Sequence, residues 1–307
     1  MSSSLLEKLT QVLGDSDGDG NPLVWRPNLP ESIDGRPLVS KTSELFFDFP
    51  YDRLPENQIV AFFMRPEAMF GMALFYLVSK EPLKMLKDSI GFSPKSEGFK
   101  SFVALHNLAL AVFSGVTVWN SWAVVFSHLV SQGWFATYCD VEGTHWQSGL
   151  GAWATIFYIS KYYEFIDTWI LILKGKHASF LQVYHHTGIV FCMWGGVVCQ
   201  SAWLLFVVCL NSFIHTLMYT YFFIKTLYPE IHIKQAKHLT MAQIGQLTFG
   251  ISCSLGFHVM GDACDTPASR VMLLCLLGYG ATLIGLFVAF AQRKYNTNKK
   301  ENMKKAA

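Results

Sequence analysis

Long apolar stretches, separated by short polar segments, follow one another along most of this chain. Seven of them are long enough, or nearly so, to cross a bilayer, which takes about 20 mostly apolar residues in a helix. They lie near residues 58–79, 101–128, 149–173, 181–198, 201–224, 240–259 and 270–291. The first is the weakest, since Arg65, Pro66 and Glu67 interrupt it. The pattern predicts an all-α fold, a polytopic membrane protein with seven transmembrane helices.

The composition agrees with this prediction. Of the 307 residues, 51% are hydrophobic and 15% are charged, whereas an average soluble domain has about 25% charged residues. The net charge is only +2, and no basic face alternates with stacking aromatic residues as it does in proteins that bind nucleic acid. We therefore expect membrane lipid, and no nucleic acid, among the partners of the protein.

Lysine and arginine are concentrated in alternate loops. They occur at 80–100, 174–179 and 225–239 and in the C-terminal tail, whereas 129–148, 199–200 and 260–269 contain none. Because cytosolic loops are richer in these residues, the C-terminus is predicted in the cytosol and the N-terminus on the opposite side. The chain ends in MKKAA, which resembles the dilysine retrieval signal of endoplasmic reticulum membrane proteins. An ordinary basic tail is the alternative, and we favour retrieval to the endoplasmic reticulum membrane.

The first 57 residues are polar and lack the pattern of a secretory signal peptide. Within them, DSDGDGN at 15–21 imitates the start of a calcium-binding loop, but Arg26 stands at the twelfth position, where such a loop needs Glu. We predict a flexible acidic tail there. The predicted organisation is a non-cytosolic tail (1–57), a seven-helix domain (58–293) and a basic cytosolic tail (294–307).

The cysteines give no metal-binding pattern. No CxxC and no Cys/His spacing typical of zinc sites occurs, and we expect neither a metal nor a cofactor. Cys139 and Cys264 fall in 129–148 and 260–269, the two acidic loops assigned to the non-cytosolic, oxidising side, where a disulfide between them is chemically allowed. The sequence leaves open whether that disulfide forms.

Ionisable side chains inside apolar helices are costly and commonly mark function. In KYYEFIDT, residues 161–168, the polar residues Lys161, Glu164, Asp167 and Thr168 recur every three or four positions, which places them on one helical face. Two interpretations stay open: Lys161 and Glu164 form an ion pair that holds helices together, or the group takes part directly in chemistry.

Three further stretches place polar groups inside predicted helices. FLQVYHH contains Gln182, His185 and His186, each one helical turn from the next or adjacent to it. Histidines inside a membrane are functional by default, and His215 belongs with this pair. The remaining polar or adaptable side chains at helical spacing are Asn211, Met218, Tyr219, Thr240, Gln243 and Gln246. For the amides alone, hydrogen bonding between helices is the simpler role, and His106 is predicted to be a packed, hydrogen-bonded histidine.

The motifs KYYEFIDT, LQVYHH, NSFIHTLMYTYF and TMAQIGQ stand in this order and resemble those of the ELO family of fatty acid elongases over about residues 58–294. The resemblance implies a seven-helix catalytic domain in the endoplasmic reticulum membrane, with an acyl tunnel among its helices. It implies condensation of acyl-CoA with malonyl-CoA to 3-oxoacyl-CoA, CoA and carbon dioxide, in company with the other enzymes of the elongation cycle. Gln182 stands where many members have His, as in a subgroup linked with polyunsaturated acyl chains.

The resemblance also implies roles for residues. It points to an acyl-imidazole intermediate on His185, with His215 facing it from the next helix. His186, Asn211 and Tyr219 are expected to donate hydrogen bonds to oxyanions, with Lys161, Glu164 and Asp167 beside them. The expected substrate-binding residues are Gln182, Thr168, Met218, Gln243, Gln246, Lys174 and Lys176. Lys174 and Lys176, like Lys225, Lys234 and Lys237, either bind the CoA head or are ordinary cytosolic-side lysines, and both alternatives stay open.

Two rival functions come from other classes. A membrane di-iron desaturase or hydroxylase also uses histidine clusters, but this chain has a single His pair, no HxxxH and Gln182 in its box. A seven-helix receptor or transporter would use the same polar residues as a ligand pocket and would release no carbon dioxide from malonyl-CoA. A membrane protein whose internal polar groups only hold helices together is the plainest alternative.

Overall fold

A computed structural model of the chain describes residues 37–140, 142–231 and 236–306, with side chains as far as residue 295. Helices make up nearly all of this part of the chain, and none of these residues lies in a strand. Numbered in chain order, the helices are α1 (Thr42–Phe46), α2 (Gln58–Met64), α3 (Pro66–Ser89), α4 (Glu97–Cys139), α5 (Gly151–Tyr163), α6 (Phe165–Leu173), α7 (Phe180–Val198), α8 (Leu204–Leu227), α9 (Ala236–Met260) and α10 (Pro267–Ala306). The predicted all-α fold is therefore confirmed for the described residues.

Each of the seven predicted apolar stretches falls on one helix or on a pair of consecutive helices. By length and composition, three helices qualify as membrane spans: α4, α8 and the Pro267–Tyr295 part of α10. The pair α2 and α3 is a fourth candidate, bent by 75° where the two helices meet. The other predicted spans lie on shorter or more polar helices, and the count of seven stays a prediction.

The bend between α2 and α3 has a local cause in the sequence. Pro66 is the first residue of α3, and Arg65 before it is extended, with φ −67° and ψ 134°. A proline disfavours helical geometry in the preceding residue but fits the first turn of the next helix. The Arg-Pro-Glu interruption, which makes the first stretch the weakest span, thus divides it into two helices.

The segment before α2 packs on the bundle. The Val39 amide donates to the Val198 carbonyl at 2.9 Å, and the Ala268 amide donates to the Ser40 carbonyl at 3.1 Å, while Val39 is fully buried. The predicted tail over 1–57 therefore includes residues that belong to the helical domain. The calcium-loop-like stretch at 15–21 lies outside the described residues.

Helices α7 and α10 are in close contact at the level of the histidine pair. Gly188 faces Tyr279 so closely that a Cβ atom on residue 188 would lie 2.2 Å from the Tyr279 ring. The Tyr279 hydroxyl donates to the His185 carbonyl at 3.0 Å. Small residues allow such close approach between membrane helices, and this contact fixes the turn that carries His185.

We predict that Gly188→Ala destabilises the protein by about 1–3 kcal/mol, because the rigid Tyr279 ring has to move to admit the methyl group. Gly245→Ala on α9 is the matched control, since a Cβ there meets nothing within 4 Å, and a helical Ala is favoured over Gly by up to about 1 kcal/mol. Thermal unfolding of both variants in detergent measures the effect. Equal unfolding temperatures for Gly188→Ala and Gly245→Ala would show that the contact between Gly188 and Tyr279 can accommodate a methyl group.

Cys139 and Cys264 form a disulfide, with Cα atoms 4.4 Å apart. The bond joins the C-terminal end of α4 to the loop before α10, across a sequence separation of 125 residues. The bridge that the sequence left open is therefore present in the structure. It ties together the two loops that carry no Lys or Arg between their helices.

Thiol labelling tests this bond. In unreduced, denatured protein a maleimide should label five of the seven cysteines. Cys139→Ser should raise the count to six by freeing Cys264, whereas the control Cys209→Ser should lower it to four. Removal of the disulfide should also cost about 2–5 kcal/mol of stability. Labelling of all seven cysteines without reduction would contradict the bond.

Candidate active site

A cavity of about 710 Å³ lies among α4, α6, α7, α8, α9 and α10. All but two of the predicted site residues line it. Those on its wall are Glu164, Asp167, Lys174, Lys176, Gln182, His185, His186, Asn211, His215, Met218, Tyr219, Gln243 and Gln246. The other two, Lys161 and Thr168, are fully buried directly behind the wall. Residues from four separate motifs thus meet in one place.

One end of this cavity is basic. Six lysines from four segments of the chain line it, namely Lys95, Lys100, Lys174, Lys176, Lys225 and Lys294. The alternate loops in which basic residues are concentrated therefore lie at the same end of the bundle. Sequence reasoning did not single out Lys95, Lys100 or Lys294 as site residues, although their basic segments were identified. Lys237 is not on the cavity wall, and Lys234 falls in the undescribed stretch 232–235.

Lys225 also donates hydrogen bonds to the backbone at this end of the cavity. Its ammonium donates to the carbonyls of Pro229 at 2.6 Å and Ile231 at 2.9 Å. These carbonyls lie in the turn after α8, where backbone acceptors lack helical partners. Lys225 therefore stabilises the turn as well as contributing positive charge to the cavity.

A buried charge cluster stands beside the cavity at the junction of α5 and α6. Lys161 Nζ donates to Glu164 Oε1 at 2.6 Å and to Asn211 Oδ1 at 3.4 Å, and it lies 3.7 Å from the centre of the Phe157 ring. Lys161 thus forms an ion pair with Glu164, one of the two arrangements left open by the sequence, and it does not reach the cavity wall. The second carboxylate oxygen, Oε2, is buried and has no hydrogen-bond partner within the described structure.

His215 on α8 lies against this cluster. Its Nδ1 atom is 3.4 Å from Glu164 Oε1, close to the carboxylate but without the alignment of a hydrogen bond. A small movement of either side chain would make that bond. Glu164 is thus placed between a cation, Lys161, and a titratable ring on the cavity wall.

The paired histidines of α7 point in different directions. The His185 and His186 rings are 5.4 Å apart and nearly perpendicular. His186 packs edge-on against Tyr76 and Phe165, and its Nδ1 atom is buried without a hydrogen-bond partner in the described structure. Both rings reach the cavity wall, and only His185 also lines a second, apolar cavity.

That second cavity has about 60 Å³ and is almost wholly apolar. Its wall includes Ile189, Phe206, Val207, Leu210, Gly250 and Leu276. We call it the apolar recess. It shares His185, Asn211 and Gln246 with the larger cavity. His185 therefore stands where a polar cavity with a basic end adjoins an apolar recess.

Gln182 is held by a short chain of hydrogen bonds. Its amide Nε2 donates to Thr168 Oγ1 at 3.2 Å, and Thr168 Oγ1 is 2.8 Å from the Tyr76 hydroxyl. Tyr76 is fully buried on α3, so three helices meet at this chain. Thr168 acts behind the wall and positions Gln182. Sequence reasoning missed Tyr76, since a lone tyrosine in an apolar helix carries no pattern.

His106 on α4 is a second residue whose hydrogen-bond partner the sequence did not indicate. It was predicted to be packed and hydrogen-bonded, and it is: it is 2% exposed, and its Nε2 atom is 2.8 Å from Asp167 Oδ1. The partner is a motif residue on the cavity wall. A hint was available, because His106 is the only ionisable residue between positions 101 and 127.

Metal binding has no support in the geometry. Over 37–140, 142–231 and 236–295, no three or more His, Cys, Asp or Glu side chains are grouped as ligands of one ion. The free cysteines are buried or half-buried and do not line the larger cavity. Three imidazoles, those of His185, His186 and His215, are on the wall of that cavity, and an imidazole can act as a nucleophile.

Comparisons with known proteins agree with this site. The chain matches the GNS1/SUR4 family, ELO for short, over residues 61–303. It is 32% identical to "Fatty acid elongase sre1" of Dictyostelium discoideum over 210 residues, which is 67% of this chain and 76% of that protein. It is 33% identical to "Long chain fatty acid elongase 2" of Caenorhabditis elegans, covering 63% of this chain and 70% of that protein.

A mammalian relative matches over a shorter length. "Very long chain fatty acid elongase 4" of Mus musculus is 31% identical over 156 residues, 49% of each chain. The family match covers the described helices α3 to α9 completely, together with every residue of the four motifs. By this match, and by the motifs that meet in its cavity, the chain belongs to the ELO (GNS1/SUR4) family.

Proposed function

We propose that the chain is a fatty acid elongase that condenses a long-chain acyl-CoA with malonyl-CoA. The position of His185 carries the proposal: its ring adjoins both a cavity with a basic end and an apolar recess. A reaction that joins a charged CoA thioester to a fatty chain needs both environments at one atom. The names of the relatives, all fatty acid elongases, support the same activity.

The first half-reaction transfers the acyl group to His185. A ring nitrogen attacks the thioester carbonyl, the new C–N bond forms, and the C–S bond breaks to release CoA. Neutral imidazole is a competent nucleophile near pH 7. The proton that the imidazole gives up goes to the departing thiolate, so that CoA leaves as the thiol.

The second half-reaction consumes malonyl-CoA. Loss of carbon dioxide from its carboxylate leaves an enolate, which attacks the acyl carbon on His185. The C–C bond forms, the C–N bond breaks, and a proton from solvent restores the imidazole as 3-oxoacyl-CoA departs. Decarboxylation generates the carbanion, so no strong base is required.

Side chains around the cavity supply the hydrogen bonds that these steps need. His186 and His215 are candidates for donors to the thioester and enolate oxygens. The Asn211 carbonyl oxygen accepts from Lys161, which leaves its amide N–H groups free to turn toward the cavity. The Lys161–Glu164 pair fixes the part of the cavity wall beside Asn211. On another part of the wall, the Gln243 amide contacts the Met218 sulfur at 3.4 Å.

The substrate has two parts with opposite needs. The CoA phosphates are anionic, and we place them at the basic end, near Lys174 and Lys176. The acyl chain gains about 0.8 kcal/mol for each CH₂ removed from water, and the apolar recess is the start of its tunnel among seven membrane helices. Gln182 in place of a histidine favours unsaturated or polyunsaturated chains as substrates.

The same arrangement suggests location and partners. The basic end faces the cytosol with the C-terminus, in the endoplasmic reticulum membrane, and the Cys139–Cys264 disulfide lies on the oxidising side. The reaction uses neither a metal nor a cofactor. Its product has a 3-oxo group, so other enzymes of an elongation cycle must reduce and dehydrate it.

We expect His185→Ala and His215→Ala each to abolish condensation in membranes while leaving protein levels near normal. His185→Ala removes the nucleophile, and His215→Ala removes the ring beside Glu164. Release of labelled carbon dioxide from malonyl-CoA in the presence of acyl-CoA measures turnover. His258→Ala, an exposed histidine on α9, is the control and should retain full activity.

Trapping separates the nucleophile from the other histidine. After incubation with labelled acyl-CoA alone, the protein is denatured and freed of unreacted acyl-CoA. Hydroxylamine should then release acyl hydroxamate from the wild-type protein and none from His185→Ala. Full condensation by His185→Ala would rule out the acyl-imidazole. A wild type that releases no carbon dioxide with any acyl-CoA would rule out the elongase itself.

Chain-length preference tests the recess. Gly250 lines it, and a Cβ there makes only ordinary contact, 3.6 Å from Leu210, so a larger side chain occupies free space. Gly250→Leu should shift activity toward shorter acyl-CoA, by about fourfold in kcat/KM for each CH₂ excluded. Gly245→Leu, which has no close neighbour, should leave the preference unchanged. An unshifted profile in Gly250→Leu would remove the acyl chain from this recess.

A further inference from the structure

The Asp167 carboxylate is held from two sides. His106 Nε2 lies 2.8 Å from Oδ1, and the Tyr219 hydroxyl donates to Oδ2 at 2.6 Å. His106 comes from α4, Asp167 from α6 and Tyr219 from α8. Two of the three, Asp167 and Tyr219, line the larger cavity, whereas His106 is buried behind them. Each carboxylate oxygen thus has its own partner on a different helix.

The surroundings of His106 determine where its proton lies. Its other ring nitrogen, Nδ1, is buried and has no hydrogen-bond partner in the described structure. A buried N–H without an acceptor costs about 1–3 kcal/mol, and the ring packs among Phe102, Tyr163 and Tyr219. A ring proton is therefore on Nε2, and His106 donates to Asp167. The carboxylate accepts two hydrogen bonds, one at each oxygen.

This arrangement changes the role expected of Tyr219. A phenol has one proton, and that proton is given to Asp167. Tyr219 therefore does not point a donor at a reacting oxyanion, as the resemblance had implied. Tyr219 lines the cavity beside His215, with the two ring centres 5.5 Å apart. Asp167 and Tyr219 form one unit, whose geometry depends on the donor behind them.

We infer that His106, which belongs to none of the four motifs, is a positioning residue of the condensation site. Its N–H fixes the Asp167 carboxylate, and through Asp167 it fixes Tyr219 against His215 on the cavity wall. The inference rests on the proposed function, because it concerns the same reaction. Loss of the donor leaves Asp167 free to rotate and releases Tyr219 from its place.

The experiment removes the donor and asks whether the effect passes through Asp167. His106→Leu should lower kcat for condensation by about 10–100-fold with little change in KM, as when a side chain that orients a functional group is removed. His106→Gln keeps a side-chain N–H and should recover most of the lost rate. Asn120→Leu removes another buried polar side chain from α4 and should retain the wild-type kcat.

A double-mutant cycle decides between positioning and general damage to the fold. If His106 acts through Asp167, the variant carrying both His106→Leu and Asp167→Asn is no slower than Asp167→Asn alone. Losses that multiply, or a His106→Gln variant no better than His106→Leu, overturn the inference. Wild-type activity in His106→Leu overturns it as well and leaves the proposed function intact. An inactive wild type, by contrast, defeats the proposed function.

Discussion

The ion pair between Lys161 and Glu164 is the interaction on which the rest of the site depends. Removing two charges from water costs several kcal/mol for each ion, and good geometry with further hydrogen bonds must offset that cost. Here Lys161 Nζ is 2.6 Å from Glu164 and also reaches Asn211 and the Phe157 face. Lys161 balances the charge of Glu164 on the side away from the cavity. The Glu164 Oε2 atom, which has no hydrogen-bond partner in the described structure, and the neighbouring His215 remain available to a molecule in the cavity. The pair thus allows an ionised carboxylate beside an imidazole inside an apolar bundle.

The proposed condensation imposes a second constraint, because one cavity must then suit both a charged and an apolar part of the substrate. The bundle meets this constraint by placing the charged and the apolar environments at different positions along its axis. Six lysines lie at one end, the histidines and carboxylates in the middle, and the apolar recess beyond His185. The Tyr279 hydroxyl on the His185 carbonyl fixes the turn at the point where the two environments meet. The proposed catalysis by imidazole would benefit from this arrangement, because hydrogen bonds to a developing oxyanion are stronger where water is excluded.

Helical periodicity was sufficient to predict much of this site. Gln182, His185 and His186 line one cavity because three- and four-residue spacing puts them on one side of α7. KYYEFIDT instead spans the junction of α5 and α6, and of its four polar residues Glu164 and Asp167 reach the wall. Periodicity does not indicate contacts between helices, however. The contacts of Tyr76 with Thr168 and of His106 with Asp167 could therefore not be predicted. The same limit applies to Lys95 and Lys294, whose approach to the cavity depends on how distant loops converge. The segment around Val39 escaped prediction because it is short and lies within a polar stretch. Two backbone hydrogen bonds and the burial of Leu38 and Val39 hold it on the bundle, and neither produces a periodic pattern.

Gln182 shows how a departure from a family pattern can be compatible with its chemistry. An amide cannot become a cation or serve as the nucleophile, so a step that required an imidazole at this position would be lost. In the structure its N–H donates a hydrogen bond to Thr168 Oγ1, which is also hydrogen-bonded to the Tyr76 hydroxyl. The amide therefore joins α3, α6 and α7 one turn before His185. The proposed acyl transfer uses His185 as its only nucleophile, and what it needs from position 182 is a fixed polar group.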